Sequence, residues 1–190
     1  MEFDKYYRRF LLPFRRGSED RGRAKGYAGI LVTPDREYLD IVGMEAARID
    51  WTDLARGLQR DLLHRLFYDS PPEEIEDSVR RWVKSVRTGK KDHALIYRKQ
   101  MKKKLSEYTK SSPPHVKAAR LSPKPHGMIR YVMTTAGPQP VGYETAPLDY
   151  EHYVKKQILP IVQTIAQVCG IDVDYLISGE RGLFTGLGNQ

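Results

Sequence analysis

The sequence predicts an α+β protein: a short β-hairpin followed by a larger, mostly helical part. Three observations lead there. Tyr27 to Thr33 and Glu37 to Val42 are rich in β-branched and aromatic residues and flank the tight turn Pro34-Asp35, the pattern of two paired strands. After the hairpin the apolar period changes, and Trp51, Leu54, Leu58, Leu62 and Leu66 recur at helical spacing. Strands followed by helices, without βαβ alternation, belong to the α+β class.

The remaining elements follow in chain order. Residues 1–24 open with Phe3, Tyr6, Tyr7, Phe10 and Phe14 among basic residues and end in a polar loop from Arg16 to Arg23. Thr52 is suited to cap the first helix, because its hydroxyl can accept from a free backbone N–H of the first turn. Pro71-Pro72 breaks that helix, and a second one carries Ile75, Val79, Trp82 and Val86 on one face with Gly89 near its end. Ala94 to Tyr97 reads as a short strand or extended lead into the basic run Arg98 to Lys104. Pro113-Pro114 introduces a short helix, His115 to Leu121; Ser122 to Gly127 is a loop; Ile129 to Thr135 alternates as a strand. Gly137 to Pro147 reads as an irregular connection. A long helix from about Asp149 to Val168 turns Val154, Ile158, Ile161, Ile165 and Val168 inward and is kinked at Pro160. Asp172 to Ser178 adds a short helix before a flexible, Gly-rich tail.

Composition narrows the function. With 190 residues, 40% of them hydrophobic, the chain can build a real core. The lone Cys169 excludes a disulfide framework and a cysteine-cluster zinc site. No apolar run approaches the roughly 20 residues of a membrane span and no signal peptide opens the chain, so a soluble, cytoplasmic protein without membrane contact is expected. Net charge is +8 and the pI about 9.5, which favours a polyanionic partner. The charge is segregated: Arg80 to Arg130 holds 16 Lys and Arg against Asp92 and Glu107, a local +14 on a body that is otherwise net acidic. A solvated basic face is the alternative explanation.

A nucleotidyl-transfer centre needs carboxylates close enough to hold two metal ions. The nearest candidate is Asp172-Val173-Asp174, for which a structural or helix-capping role is expected. The histidines at 64, 93, 115, 126 and 152 lack paired ligand spacing, and no phosphate loop or nucleophile motif occurs. Backbone-binding components are present instead. Tyr97-Arg98-Lys99 and Lys102-Lys103-Lys104 lead to Tyr108, Lys110, His115 and Arg120, side chains that supply charge and donors to phosphates. A lysine-rich amphipathic face over packed tyrosines fits the same residues.

Several segments, in order, resemble the C-terminal part of family B DNA polymerases, in particular the DNA polymerase II branch. Lys25-Gly26-Tyr27-Ala28-Gly29 is similar to the family's Lys-Lys-x-Tyr-Ala-Gly element, which tracks the primer–template minor groove. Gly43-Met44-Glu45 and Arg48-Ile49-Asp50-Trp51 resemble the palm–thumb junction. Tyr97-Arg98-Lys99, Glu107-Tyr108, Pro113-Pro114-His115-Val116 and Ala118-Ala119-Arg120 resemble the thumb signature. Tyr131-Val132, Gly137-Pro138 and Pro147 to Tyr153 with Gln157 resemble its last third. There are departures: Ala24 and Gly26 stand where the family carries basic residues, and Val42 where it often has lysine.

The resemblance implies residues 1–50 as the end of the palm and residues 51–190 as the thumb. Lys25 and Tyr27 would meet the minor groove, and Arg98, Lys99, Lys102, Lys104, Tyr108, Lys110, His115 and Arg120 the duplex backbone. The family's metal-binding aspartates lie in motifs absent from these residues, so no cofactor is expected in this chain. Magnesium belongs to the catalytic palm, and the chain is expected to be inactive alone. It reads as an excised piece of a longer chain or the small subunit of a split polymerase, with primer–template DNA and the catalytic part as partners. Polymerase II chains tend to end in Gln-Leu-x-Leu-Phe, which docks on the sliding clamp; Leu183 and Phe184 keep the apolar end, while Glu180 and Arg181 replace Gln and Leu. The alternative from another class is a protein-interaction subunit of a split polymerase or replication complex with little DNA binding of its own. A metal-dependent nuclease using Asp172 and Asp174 is a distant third.

Overall fold

The computed structural model describes residues 5–13, 26–48, 51–109 and 112–178. Within them the α+β expectation holds: two three-stranded antiparallel sheets flank a set of helices. The first sheet has the order β1 (Tyr6–Leu11), β2 (Tyr27–Val32), β3 (Glu37–Val42). The expected hairpin is its β2–β3 half, in an unbroken register from Tyr27↔Val42 to Val32↔Glu37. The edge strand β1 was not legible as a strand. A register shift between Tyr7 and Arg9 breaks its alternation, and edge position leaves its arginines in solvent.

Helix α1 (Asp53–Phe67) begins as expected: the Thr52 hydroxyl accepts from the Ala55 N–H at 3.3 Å. It lays Leu54, Leu58 and Leu62, all fully buried, along one stripe, each worth about 2 kcal/mol by removal from water. The helix ends at Phe67, where Asp69 takes a left-handed φ of 56°, and Pro72 opens α2 (Pro72–Arg87) rather than only breaking its predecessor. Trp82 on α2 lies against Gly57 of α1, where an added Cβ would stand 3.0 Å from the ring.

The second sheet has the order β4 (Tyr97–Gln100), β5 (Met128–Thr134), β6 (Gly137–Pro140), with α3 (Pro114–Arg120) inserted between β4 and β5. Two expectations change here. The strand placed at Ala94 to Tyr97 begins at Tyr97 and takes in Arg98 and Lys99, while Asp92–Ala94 form a 3-10 turn. The supposedly irregular stretch after Gly137 contains β6. Its prolines argue against a central strand, but β6 is an edge, where a missing N–H is tolerated.

The C-terminal rod runs from α4 (Tyr150–Tyr153) through a π-helical turn (Val154–Ile158) into α5 (Leu159–Cys169), followed by α6 (Val173–Ser178). Pro160 is the reason for the π turn. Its ring removes the donor that would bond the Lys156 carbonyl, and the Gln157 amide donates to that carbonyl instead, at 3.3 Å. Gln157 Oε1 in turn accepts from the Thr52 N–H and hydroxyl at 3.2 and 2.8 Å, joining rod to α1. Val154, Ile158, Ile161 and Ile165 are buried as expected, joined by Val162 and Ala166, whereas Val168, expected inward, is 46% exposed. One apolar cluster runs from Leu11 and Ala28 through α1 and α2 to Tyr131 and Leu176. No helix among the described residues is long and apolar enough to cross a membrane.

Candidate nucleic-acid interface

The site begins with three buried tyrosine rings. Tyr97 stacks on Tyr131 across β4–β5, at 5.1 Å and 14°, and on Tyr153 of α4 at 5.7 Å. The Tyr153 hydroxyl accepts from the Met133 N–H at 2.7 Å, and the Tyr97 hydroxyl lies 3.1 Å from His152 Nε2. Burial pushes the Tyr97 and Tyr153 hydroxyls far above the ordinary phenol range, so both stay neutral. This stack anchors β4 and thereby sets the directions of the basic residues that follow Tyr97.

Arg98 pairs with Arg130 across the sheet, and Lys99 with Ile129, so strand alternation sends Arg98 and Lys99 to opposite faces. On one face two arginines stand opposite each other, an arrangement that repulsion disfavours. Arg98 answers it by donating to Asp53 Oδ2 at 3.0 Å in the first turn of α1. That hydrogen bond, helped by Arg56, holds the Asp53 carboxyl below the usual carboxylate range despite partial burial. Arg130 is exposed and has no carboxylate partner among the described residues. Sequence reading passed over Arg130; the signal for it is its cross-strand place opposite Arg98, which only the register reveals.

On the other face Lys99 neighbours His115 of α3, and the Tyr108 ring meets His115 edge-on at 6.3 Å. Burial, then the Lys99 charge, lowers the His115 pKa. Arg120 donates to the Tyr108 carbonyl at 3.2 Å, fastening the loop to the end of α3. Lys102 and Lys104 are exposed on the segment between β4 and the 3-10 turn Leu105–Glu107. Lys99, Tyr108, His115 and Arg120 are thus brought together, and Arg98 is directed elsewhere. Lys110 and Lys25 lie outside the described residues, as do Leu183 and Phe184.

Tyr27 opens β2 on the outer face of the first sheet, beside Tyr7 and Phe10 at ring distances of 5.9 and 5.2 Å. Gly29 is the floor of this patch: an added Cβ would stand 2.6 Å from the Arg9 carbonyl oxygen and 2.7 Å from the Tyr7 ring. The Tyr7 hydroxyl donates to Asp40 at 2.6 Å, and burial with that carboxylate raises its pKa well beyond the ordinary range. Asp172 accepts from the Tyr175 N–H at 3.2 Å, the helix-capping geometry expected of it. Among the described residues no three His, Cys, Asp or Glu side chains gather where a metal could be held.

The description of DNA polymerase family B matches residues 1–168, and the chain belongs to that family. DNA polymerase II of Escherichia coli (strain K12) is 37% identical over 196 residues, which cover 97% of this chain and 24% of that protein. DNA polymerase 2 of Aeropyrum pernix is 30% identical, over 95% of this chain and 23% of that protein. The DNA polymerase of Desulfurococcus sp. (strain Tok) is 25% identical, over 96% of this chain and 24% of that protein. The chain therefore spans about a quarter of the length of these relatives.

Proposed function

We propose that this chain is the duplex-gripping part of a family B DNA polymerase: residues 1–50 end its palm, and residues 51–190 form its thumb. The observation that carries this reading is the +14 segment, whose later half lies on a tyrosine-anchored strand, an exposed lysine loop and a short helix. Such a surface contacts sugar and phosphate with little reading of base edges. The chain supplies no reacting group. It holds primer–template DNA against a metal site carried by the catalytic part of the polymerase, an orienting contribution. Arg130 joins the residues expected to meet phosphates, since an anion would relieve its opposition to Arg98.

The test is the salt dependence of duplex binding. Neutralised phosphates release counterions, so the logarithm of affinity falls linearly with that of salt. Arg98→Ala with Lys99→Ala is expected to flatten the slope by about one to two units. An unchanged slope would refute the grip assigned to these residues. Primer extension by the highly purified chain alone would refute the absence of a reacting group.

A second reading is favoured by the outer face of the first sheet, where Phe10 is 49% exposed beside Tyr7 and Tyr27, with Leu12 56% exposed just past the strand. An apolar strip of this kind on a sheet edge is suited to protein contact, and the catalytic part of the polymerase is the proposed occupant. Clamp docking through Leu183 and Phe184 stays a proposal, weakened by Glu180 and Arg181. Binding of the purified clamp, lost on Leu183→Ala with Phe184→Ala, checks it.

A further inference from the structure

The basic segment is not all on β4, the lysine loop and α3. Arg80, Arg81, Lys84, Arg87, Lys90 and Lys91 stand on α2 and the turn after it. Arg80 is engaged by Glu76 and Asp77, and Arg87 by Glu151. Arg81, Lys84, Lys90 and Lys91 have no carboxylate partner among the described residues. Two of them, Arg81 and Lys91, line a cleft of about 320 Å³ between α1 and α2, together with Asp61, Arg65, Ser78, Trp82 and Ser85.

The floor of the cleft is already satisfied. Asp61 accepts from the Ser78 hydroxyl, from Trp82 Nε1 at 3.0 Å and from Arg65 Nε at 3.1 Å. Burial alone would raise its pKa, but these three donors bring it below the ordinary value. Asp61 thus accepts from three neighbours, and neither Arg81 nor Lys91 is among them. The Lys91 ammonium rests 4.4 Å from the centroid of the Trp82 ring, a weak substitute for an anion. The helix dipole accounts for cations in the last turn of α2, such as Lys84 and Arg87. It does not account for Arg81, farther back, or for Lys90 and Lys91 beyond the helix end.

We propose that this cleft seats a phosphate of a nucleic-acid backbone on Arg81 and Lys91, at a surface separate from β4 and α3. A guanidinium fork beside an ammonium suits a phosphate oxyanion. Lys84 and Lys90 extend the charge outward, one helical turn from Arg81 and next to Lys91. That row calls for a repeating anion rather than a single small one. Asp61 lies about 12 Å along α1 from Asp53, the partner of Arg98, which brings both basic surfaces within reach of one duplex. The choice of nucleic acid over an acidic protein rests on the DNA-binding reading of the chain; the cleft and its unanswered cations do not.

The full chain, a labelled DNA duplex and a salt series test this. Arg81→Gln with Lys91→Gln is expected to lower the salt slope by about one unit, the value of one phosphate, with an unchanged circular-dichroism spectrum. Combined with Arg98→Ala and Lys99→Ala, the two losses should add. A wild-type slope in the Arg81/Lys91 variant beside a reduced one in the Arg98/Lys99 variant overturns the cleft and leaves the main reading standing. The converse supports the cleft and removes the grip assigned to Arg98 and Lys99; two unchanged slopes remove both. A poly-glutamate peptide that binds as tightly as duplex and is weakened equally by the Arg81/Lys91 substitutions overturns the nucleic-acid assignment in favour of an acidic protein. A local readout is Trp82 emission in a Trp51→Phe background: duplex should change it as Lys91 leaves the ring, and no change counts against the cleft.

Discussion

His115 sits half-buried in the first turn of α3, with Lys99 and the Tyr108 ring beside it, and its pKa is lowered by burial and then by Lys99. The folded chain therefore holds fewer protons here than the unfolded chain just below the ordinary histidine value. Stability contributed by His115 is complete above that value and declines as pH falls through it. A duplex phosphate nearby would pull in the opposite direction and return a proton to the ring. Duplex binding should tighten about two- to fourfold between pH 7.5 and 6 at constant ionic strength, and His115→Gln should remove that dependence. Anisotropy titrations at the two pH values check it. Asp53 offers the complementary residue experiment. Asp53→Asn frees Arg98 from its carboxylate, so the duplex should bind more tightly with a steeper salt slope, while stability falls by no more than about 1 kcal/mol for so exposed a pair.

Two elements depend on single residues. In the first sheet, Gly29→Ala would press a Cβ against the Arg9 carbonyl and the Tyr7 ring, contacts at 2.6 and 2.7 Å that a rigid edge pairing cannot relieve. A loss of about 2 kcal/mol or more is expected in urea unfolding, with weakened near-UV signal from Tyr7 and Tyr27. In the rod, Gln157→Leu would strip the Thr52 hydroxyl and N–H of their acceptor and the Lys156 carbonyl of its donor. Leaving such buried groups unpaired costs about 1–3 kcal/mol each in the worst case, so a marked fall in the unfolding midpoint is expected. Element existence was legible where the period was clean: α1, α2, the β2–β3 hairpin and the C-terminal rod. It was not legible for β1, where a bulge interrupts alternation, nor for β6, where Pro138 and Pro140 argue for a loop and only edge position permits a strand.

At the scale of the whole molecule, one apolar cluster connects the first sheet to α1, α2, the rod and the second sheet. Residues on either side of position 50 should therefore unfold together, with tryptophan fluorescence and far-UV circular dichroism giving coincident midpoints. Separate transitions would place a thermodynamic boundary near residue 50. Acid should destabilise the whole. Asp53 and Asp61 have pKa values held below 3.8, and Glu151, paired with Arg87, below 4.5. Stability from these groups is present above the unfolded values and is lost as pH falls through the folded ones, so the thermal midpoint should drop below about pH 4.5.

The sequence by itself determined the α+β class, the strongly basic segment from Arg80 to Arg130 and the kinship with family B polymerases. Those properties are written in period, composition and the order of local motifs. Only the tertiary structure decided which way the charges face. Strand register opposes Arg98 to Arg130, alternation sends Lys99 to His115, and Asp53 and Asp61, distant in sequence from most of the basic run, set which cations are answered by a carboxylate. Charge is a property of residues, but its availability depends on neighbours that only folding brings within a few ångströms.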